Sequence, residues 1–397
     1  MPEALIKPPT LREKYQEFMR NFNPMTPADK ANRVDLRPGL AARIASRAIL
    51  DPGCQQAIVG GIGSGKTSEL SAAFQALDES CFWFDVAEHT DLHSIQAGAI
   101  LAIVGVLLGG KMRSQDDRNG PTARALREAH RYAKGYVDWC YASDWGDDPD
   151  HDYDPDHDSP PTRVSAPGKL KPPRPEVTAD ILAFKPHLQA LIEQYQTEHG
   201  QLTIGIDGLD RLRDVETFWN LDDQVLQILA ELKVSTIITV PLLTYFDATR
   251  ELEQRFARVH PLWSLPVASD GLIEMLRKRD NDLLNEDALL GIAANSGGVL
   301  RDAISLARDA AEEAFLAGSP KIEIGHVEEV ASRLGQSYRR GLGADQLKLL
   351  AKVAKGGSFS FQFPLDRELL ATRRIIEYSA DTFDIHPALR RELSSAN

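Results

Sequence analysis

Apolar positions along this chain follow two rhythms. Short runs of β-branched and aromatic residues recur at "QQAIVGG" (55–61), "CFWFDVA" (81–87), "QLTIGID" (201–207), "VSTIITV" (234–240) and "VHPLWSLPV" (259–267). Between them, apolar residues return at the spacing of one helix face. Strands alternating with helices predict a parallel sheet covered by helices on both faces, here over residues 51–268. Beyond residue 270 the strand signal stops. "GLIEMLRKRDNDLLNEDALLGIAANSGGVLRDAISLARDAAEEAFLAG" predicts three or four helices broken at Gly297-Gly298, an all-α domain over residues 269–335.

The two ends add smaller pieces. Residues 1–50 read as a helical segment, with "TPADK" (Thr26 to Lys30) as a turn and cap and "LAARIASRAIL" as an amphipathic helix. From residue 340 to 397, "ADQLKLLAKVAKG" and "RELLATRR" predict helices. "RIIEYSADTFDIHPALRREL" then predicts a hairpin and a final helix with Pro387 in its first turn. Helices followed by a two-stranded hairpin describe a small winged-helix module.

Two stretches depart from the alternation. "IQAGAILAIVGVLLGG" (Ile95 to Gly110) is apolar throughout, but shorter than the roughly 18–20 residues a bilayer requires, so a buried helix is expected. From about Trp145 to Pro175 the chain is rich in aspartate and proline and has almost nothing to bury, which predicts a disordered acidic insertion. Its "DPDHDYDPDHD" lacks the glycine and closing glutamate of a calcium loop. A solvated acidic tract therefore fits it better than a metal site.

Composition narrows the setting. A chain of 397 residues exceeds one small core. A formal net charge of -13 argues against a surface coated by nucleic acid, though a local basic patch remains compatible. Cys54, Cys81 and Cys140 stand too far apart for a disulfide framework or zinc set. The first residues carry no apolar core of signal-peptide length. A reducing, cytoplasmic location is the expectation.

The candidate chemistry lies in "AIVGGIGSGKTSEL" (Ala57 to Leu70), where Gly60, Gly65, Lys66 and Thr67 satisfy G-x-x-x-x-G-K-[ST]. Glycines let backbone N–H groups turn inward as an anion-binding nest, and the helix that follows aims its positive end at the same anion. The expected nucleotide-binding residues are Gly60, Gly61, Gly63, Ser64, Gly65, Lys66, Thr67 and Ser68. Lys66 would reach the β- and γ-phosphates, and the Thr67 hydroxyl would ligate Mg²⁺. A strand before the motif and a helix after it make the sheet that of an α/β P-loop NTPase. "LTIGIDGLDRL" supplies the second half, an apolar strand ending in Asp207, which would hold Mg²⁺ opposite Thr67, with Asp210 shortly after. ATP is expected rather than GTP, because no Asn/Thr-Lys-x-Asp follows that strand.

On "GGIGSGKTSEL", "IGIDGLD", "VSTIITVP" and "SGGVLRDAISLARDAA", the chain resembles AAA+ or STAND-type P-loop ATPases. The nearest flavour is the initiator-like (origin-recognition-like) kind with a C-terminal winged helix. The resemblance covers roughly residues 30–395, apart from the acidic insertion, and implies further roles. Thr239 matches the sensor-1 position that orients the attacking water, and Arg301 the sensor-2 arginine of a helical lid (269–335) that folds over the nucleotide. Arg255 and Arg258 lie where an intersubunit arginine finger is often found. The family usually has a glutamate directly after the Walker B aspartate; here that position is Gly208. The "DGLD" spelling resembles the NACHT branch of the STAND ATPases and makes Asp210 the implied base, with slow turnover as one consequence.

The expected activity is that of an ATP-hydrolysing switch, possible as a homo-oligomer, in a bacterial DNA-transaction, defence or signalling system. The alternative is an ATP-gated scaffold with little turnover that binds DNA or docks a protein. Arg339, Arg340, Arg373, Arg374, Arg390 and Arg391 favour DNA, whereas the acids around them nearly cancel their charge. A small-molecule kinase fits poorly, because such kinases seldom carry a helical lid and a winged helix. Protein partners are expected at the C-terminal module or at the long insertion, residues 88–180.

Overall fold

A computed structural model describes residues 10–24, 32–95, 97–112, 125, 181–212, 214–359 and 364–394. The acidic tract at 145–175, the turn at Thr26 to Lys30 and Cys140 lie outside the described residues. In chain order, α1 (Leu11–Asn21) and α2 (Leu40–Leu50) come first. The sheet strands follow: β1 (Gln55–Val59), β2 (Phe82–Asp85), β3 (Thr203–Asp207), β4 (Ser235–Val240) and β5 (Arg258–Pro261). Between them lie α3 (Lys66–Phe74), α4 (Ala97–Lys111), α5 (Ile181–His199) and α6 (Val215–Leu221), the last running into a π-helical turn (Asp222–Leu226). Next are α7 (Asp270–Arg279), α8 (Glu286–Asn295), α9 (Leu300–Leu316) and α10 (Ile324–Arg339). The chain ends with α11 (Ala344–Ala354), α12 (Pro364–Ala371), β6 (Ile375–Glu377), β7 (Phe383–Ile385) and α13 (Pro387–Ser394).

The chain divides into two compact units, one of Gly39–Val59 with Glu69–Pro261, the other of Met1–Pro38, Gly60–Ser68 and Leu262–Asn397. The first holds the five-stranded sheet, all parallel, in the order β2-β3-β4-β1-β5. Every residue of β1 to β4 is buried, as a sheet covered on both faces requires. Buried polar residues within the strands are satisfied locally. Gln56 Nε2 donates to the Ile44 carbonyl (3.1 Å), and His260 Nε2 donates to Gln56 Oε1 (3.0 Å). β5 stops at Pro261, short of the apolar run that predicted it. An edge strand tolerates a proline, but a ladder does not continue easily through two, and Pro266 follows. The apolar α4 is buried, as a helix hydrophobic all round must be. Among the described residues no helix is long and apolar enough to cross a membrane.

The second unit is built on helices. Tyr15, Phe18 and Phe22 close a core with Leu272, Leu276, Leu289 and Ile292, so α1 belongs with α7 to α10, whereas α2 belongs with the sheet. Residues 1–50 thus divide between the units instead of forming one segment. The C-terminal elements have the expected order: two helices, an antiparallel β6–β7 hairpin and a closing helix. They share a unit with α7 to α10. α13 lies against α10 so closely that a Cβ on Gly335 would sit 2.4 Å from the Ala388 carbonyl oxygen. Asp302 of α9, itself buried, accepts hydrogen bonds from Tyr338 Oη (2.8 Å) and His386 Nε2 (3.2 Å) and pairs with Arg373. The break at Gly297-Gly298 has a purpose in packing: Tyr378 Oη donates to the Gly297 carbonyl at 2.9 Å, and a Cβ on Gly298 would fall 1.8 Å from the Leu265 carbonyl oxygen.

Candidate nucleotide site

β1 ends at Val59, and the phosphate loop begins at the next residue. Gly63 (φ +86°) and Gly65 (φ +99°) adopt left-handed conformations, which side-chain-bearing residues rarely do. Lys66 is the first residue of α3 and is buried; its Nζ donates to the carbonyls of Gly60 (2.7 Å) and Gly61 (2.8 Å). Thr67 and Ser68 follow in the first helical turn. The Ser64 hydroxyl is buried without a hydrogen-bond partner among the described residues. A glycine-rich loop, a lysine at a helix start and an unmatched hydroxyl suit a phosphate group.

Two elements of the same unit reach this loop. The backbone N–H of Arg301, at the start of α9, donates to the Gly63 carbonyl (3.4 Å), and a Cβ on Gly63 would lie 2.6 Å from Arg301 Cβ. Arg301 is therefore beside the loop. Glu377, the last residue of β6, accepts the Gly61 N–H on Oε1 at 3.1 Å. Burial pushes its carboxyl up; the loop amide, the Lys66 charge and the Ser264 hydroxyl pull the other way. No motif in the sequence announced Glu377. Its only signal was a single acid ending an otherwise apolar strand, "RIIE".

In the sheet unit, Asp207, Asp210 and Thr239 come together. Asp207 Oδ1 accepts from the Gly208 N–H (2.8 Å) and from Thr239 Oγ1 (2.9 Å), while Asp210 Oδ1 is 3.5 Å from the same hydroxyl. A hydroxyl has one proton, so the shorter contact holds it, and Thr239 also accepts from Gly208 N–H at 3.0 Å. Gly208 explains why no glutamate stands after Asp207. Its φ is +88°, and a Cβ there would lie 2.3 Å from Asp85 Oδ1. Asp85 ends β2 opposite Asp207 in register, caps the Ala87 N–H (2.9 Å) and pairs with Arg211 (2.8 Å). Asp85 and Arg211 are two residues that sequence reasoning missed, because their proximity depends on β2 lying beside β3.

The remaining arginines divide sharply. Arg255 donates from Nε to Oδ2 of the buried Asp222 at 2.6 Å, so its charge is used within its own unit. Arg258 is exposed at the start of β5. Four of the six arginines expected to favour DNA have internal partners. Arg373 pairs with Asp302, Arg390 with Asp384 and Arg391 with Glu328, while Arg374 Nε donates to the Tyr338 carbonyl at 2.7 Å. Arg339 and Arg340 are exposed. A separate cleft in the sheet unit is lined by Arg43, Arg47, Arg258 and His260. Among the described residues no group of three or more His, Cys, Asp or Glu converges as a metal site.

No protein-family model matches the chain, and no curated protein matches it. Among solved structures it is similar to Drosophila ORC bound to DNA, at 16% identity and a TM-score of 0.41, over 100% of this chain and 87% of that one. It is similar to the Walker-type ATPase PABY2304 of Pyrococcus abyssi, at 13% identity and a TM-score of 0.48, over 94% and 99% of the two chains. It is also similar to the Aeropyrum pernix ORC1 protein in complex with DNA, at 14% identity and a TM-score of 0.45, over 96% of each chain. At such identities no residue role passes from them to this chain.

Proposed function

We propose that this chain is an ATP-binding and ATP-hydrolysing molecular switch of the AAA+/STAND kind, acting in a bacterial DNA-transaction, defence or signalling system. The observation that carries this reading is the loop itself: two left-handed glycines leading into a helix headed by Lys66, directly after a buried parallel strand. In this proposal the amides from Gly60 to Ser68 cradle the phosphates, and Lys66 supplies positive charge to the β- and γ-phosphates. Thr67 and Asp207 hold Mg²⁺, which when bound neutralises charge on the phosphates. Thr239 orients the attacking water, Asp210 accepts its proton, and Arg301 acts from the lid. The crowding of Gly208 by Asp85 supports Asp210 as the base, since no side chain fits at position 208 without displacing that carboxylate. Arg258 is the better finger candidate for a homo-oligomer, because Arg255 is held by Asp222.

Steady-state ATP hydrolysis, with and without duplex DNA, tests this reading. Lys66→Ala should abolish binding and turnover, and Asp210→Ala should keep ATP binding while slowing turnover by about a hundredfold or more. Full activity in Lys66→Ala would remove the proposal. Tight ATP binding without turnover would favour the second reading, an ATP-gated scaffold. Arg43, Arg47 and Arg258 line a cleft of α2 and β5 that supports DNA as the scaffold's target, although Arg47 pairs with Asp51 and Arg43 donates to the Gly39 carbonyl. True phosphate contacts there would make affinity for duplex DNA fall steeply with salt.

A further inference from the structure

The carboxylate of Glu377 has an unusual position. It is 3% exposed, yet it lies against the start of a loop whose amides and lysine suit an anion. A Cβ on Gly61 would come within 2.5 Å of its Oε1, so the glycine is what lets the acid approach. The strand that carries it is tied down next to the loop, since the Ser264 N–H donates to the Glu377 carbonyl at 3.1 Å. Ile375 and Ile376, the other residues of β6, are buried and apolar. A hydrophobic or amide residue at position 377 would pack there without bringing a charge inside. Burial disfavours the charged form of this carboxyl, while the Lys66 charge, on the residue the motif reserves for phosphate, favours it.

We propose that Glu377 is a nucleotide-sensing residue, whose carboxylate opposes the phosphates of nucleotide bound to the loop and so links occupancy of the site to docking of the β6–β7 hairpin. This rests on the reading of the loop as an ATP site. A triphosphate that engages Lys66 withdraws the charge that favours the buried carboxylate and adds negative charge beside it. Hairpin docking with ionised Glu377 and nucleotide binding therefore disfavour each other. By linkage the effect is reciprocal: whatever weakens one strengthens the other. Glu377→Gln keeps the shape and an oxygen that can accept the Gly61 N–H, but removes the charge.

The test titrates the full chain, wild type and E377Q, with a fluorescent Mg–ATP analogue and with Mg–tripolyphosphate, beside Lys66→Ala. E377Q should bind both probes about tenfold tighter, because the opposition acts on the phosphates and not on the base. A merely structural role would leave affinity unchanged or weaken it, and either result overturns the inference. Hydrogen exchange in the wild type gives a measurement that needs no variant. Amides of the hairpin, residues 375–385, should exchange faster at saturating nucleotide, and in E377Q they should not. No change in the wild-type hairpin also overturns it. Binding by the wild type that Lys66→Ala abolishes, with E377Q equal to wild type, sinks this inference and leaves the ATP site standing. Absence of binding by the wild type overturns both.

Discussion

At the scale of single residues, the site and the cores rely on buried polar groups whose partners are few. Thr239 is fully buried and donates to Asp207. Thr239→Val should cost about 1–2 kcal/mol in urea denaturation, since it leaves a buried carboxylate and the Gly208 N–H each short of a partner. Asp302→Ala should cost more, about 3–5 kcal/mol, because it strands Arg373, His386 and Tyr338 around a buried gap. His260 sets a pH dependence. Burial, and then the Arg258 and Arg43 charges, hold its imidazole down to about 4 in the folded chain, against an ordinary value of 6.5. Between those two values only the unfolded chain takes up the proton. Stability should therefore fall as pH drops from 6.5 towards 4, and the contribution should stay level above 6.5. Chemical denaturation across that range should be flatter in His260→Gln.

At the scale of elements, close approaches set what the chain tolerates. α13 meets α10 at Gly335, where a Cβ would fall 2.4 Å from a backbone oxygen. Backbone cannot swing aside as a side-chain tip can, so Gly335→Ala should cost about 1–3 kcal/mol and lower the thermal midpoint. An unchanged midpoint would show that α13 yields easily and does not lock onto α10. A close approach also accounts for Gly208 standing where a glutamate is expected. Asp85 arrives from the neighbouring strand and leaves no room for a side chain. The elements themselves were legible: the five apolar runs correspond to β1 to β5, and the glycine pair at 297–298 to the break before α9. The end of β5 was not, because an apolar run does not show where prolines end a ladder.

At the scale of the whole chain, the C-terminal elements and the helices before them belong to one compact unit. Removing residues 341–397 should therefore not leave an undisturbed remainder. It exposes the face of α10 that α13 covers and leaves Asp302 without His386 and Arg373. The truncated chain should melt well below the full one; an equal midpoint would establish the last elements as independent. The sequence by itself determined the parallel sheet, the helical stretches and the loop, since these follow from apolar spacing and from glycines placed where only glycine turns amides inward. It also supplied Lys66, Thr67, Asp207 and Asp210 as candidates, because their types and spacing are local. Only the tertiary structure decided that Glu377 touches the loop, that Asp85 fills the space beside Gly208, and that Arg373, Arg374, Arg390 and Arg391 have internal partners. Those contacts join residues far apart in the chain. Which distant residues meet is decided by packing, and no periodicity along the sequence records it.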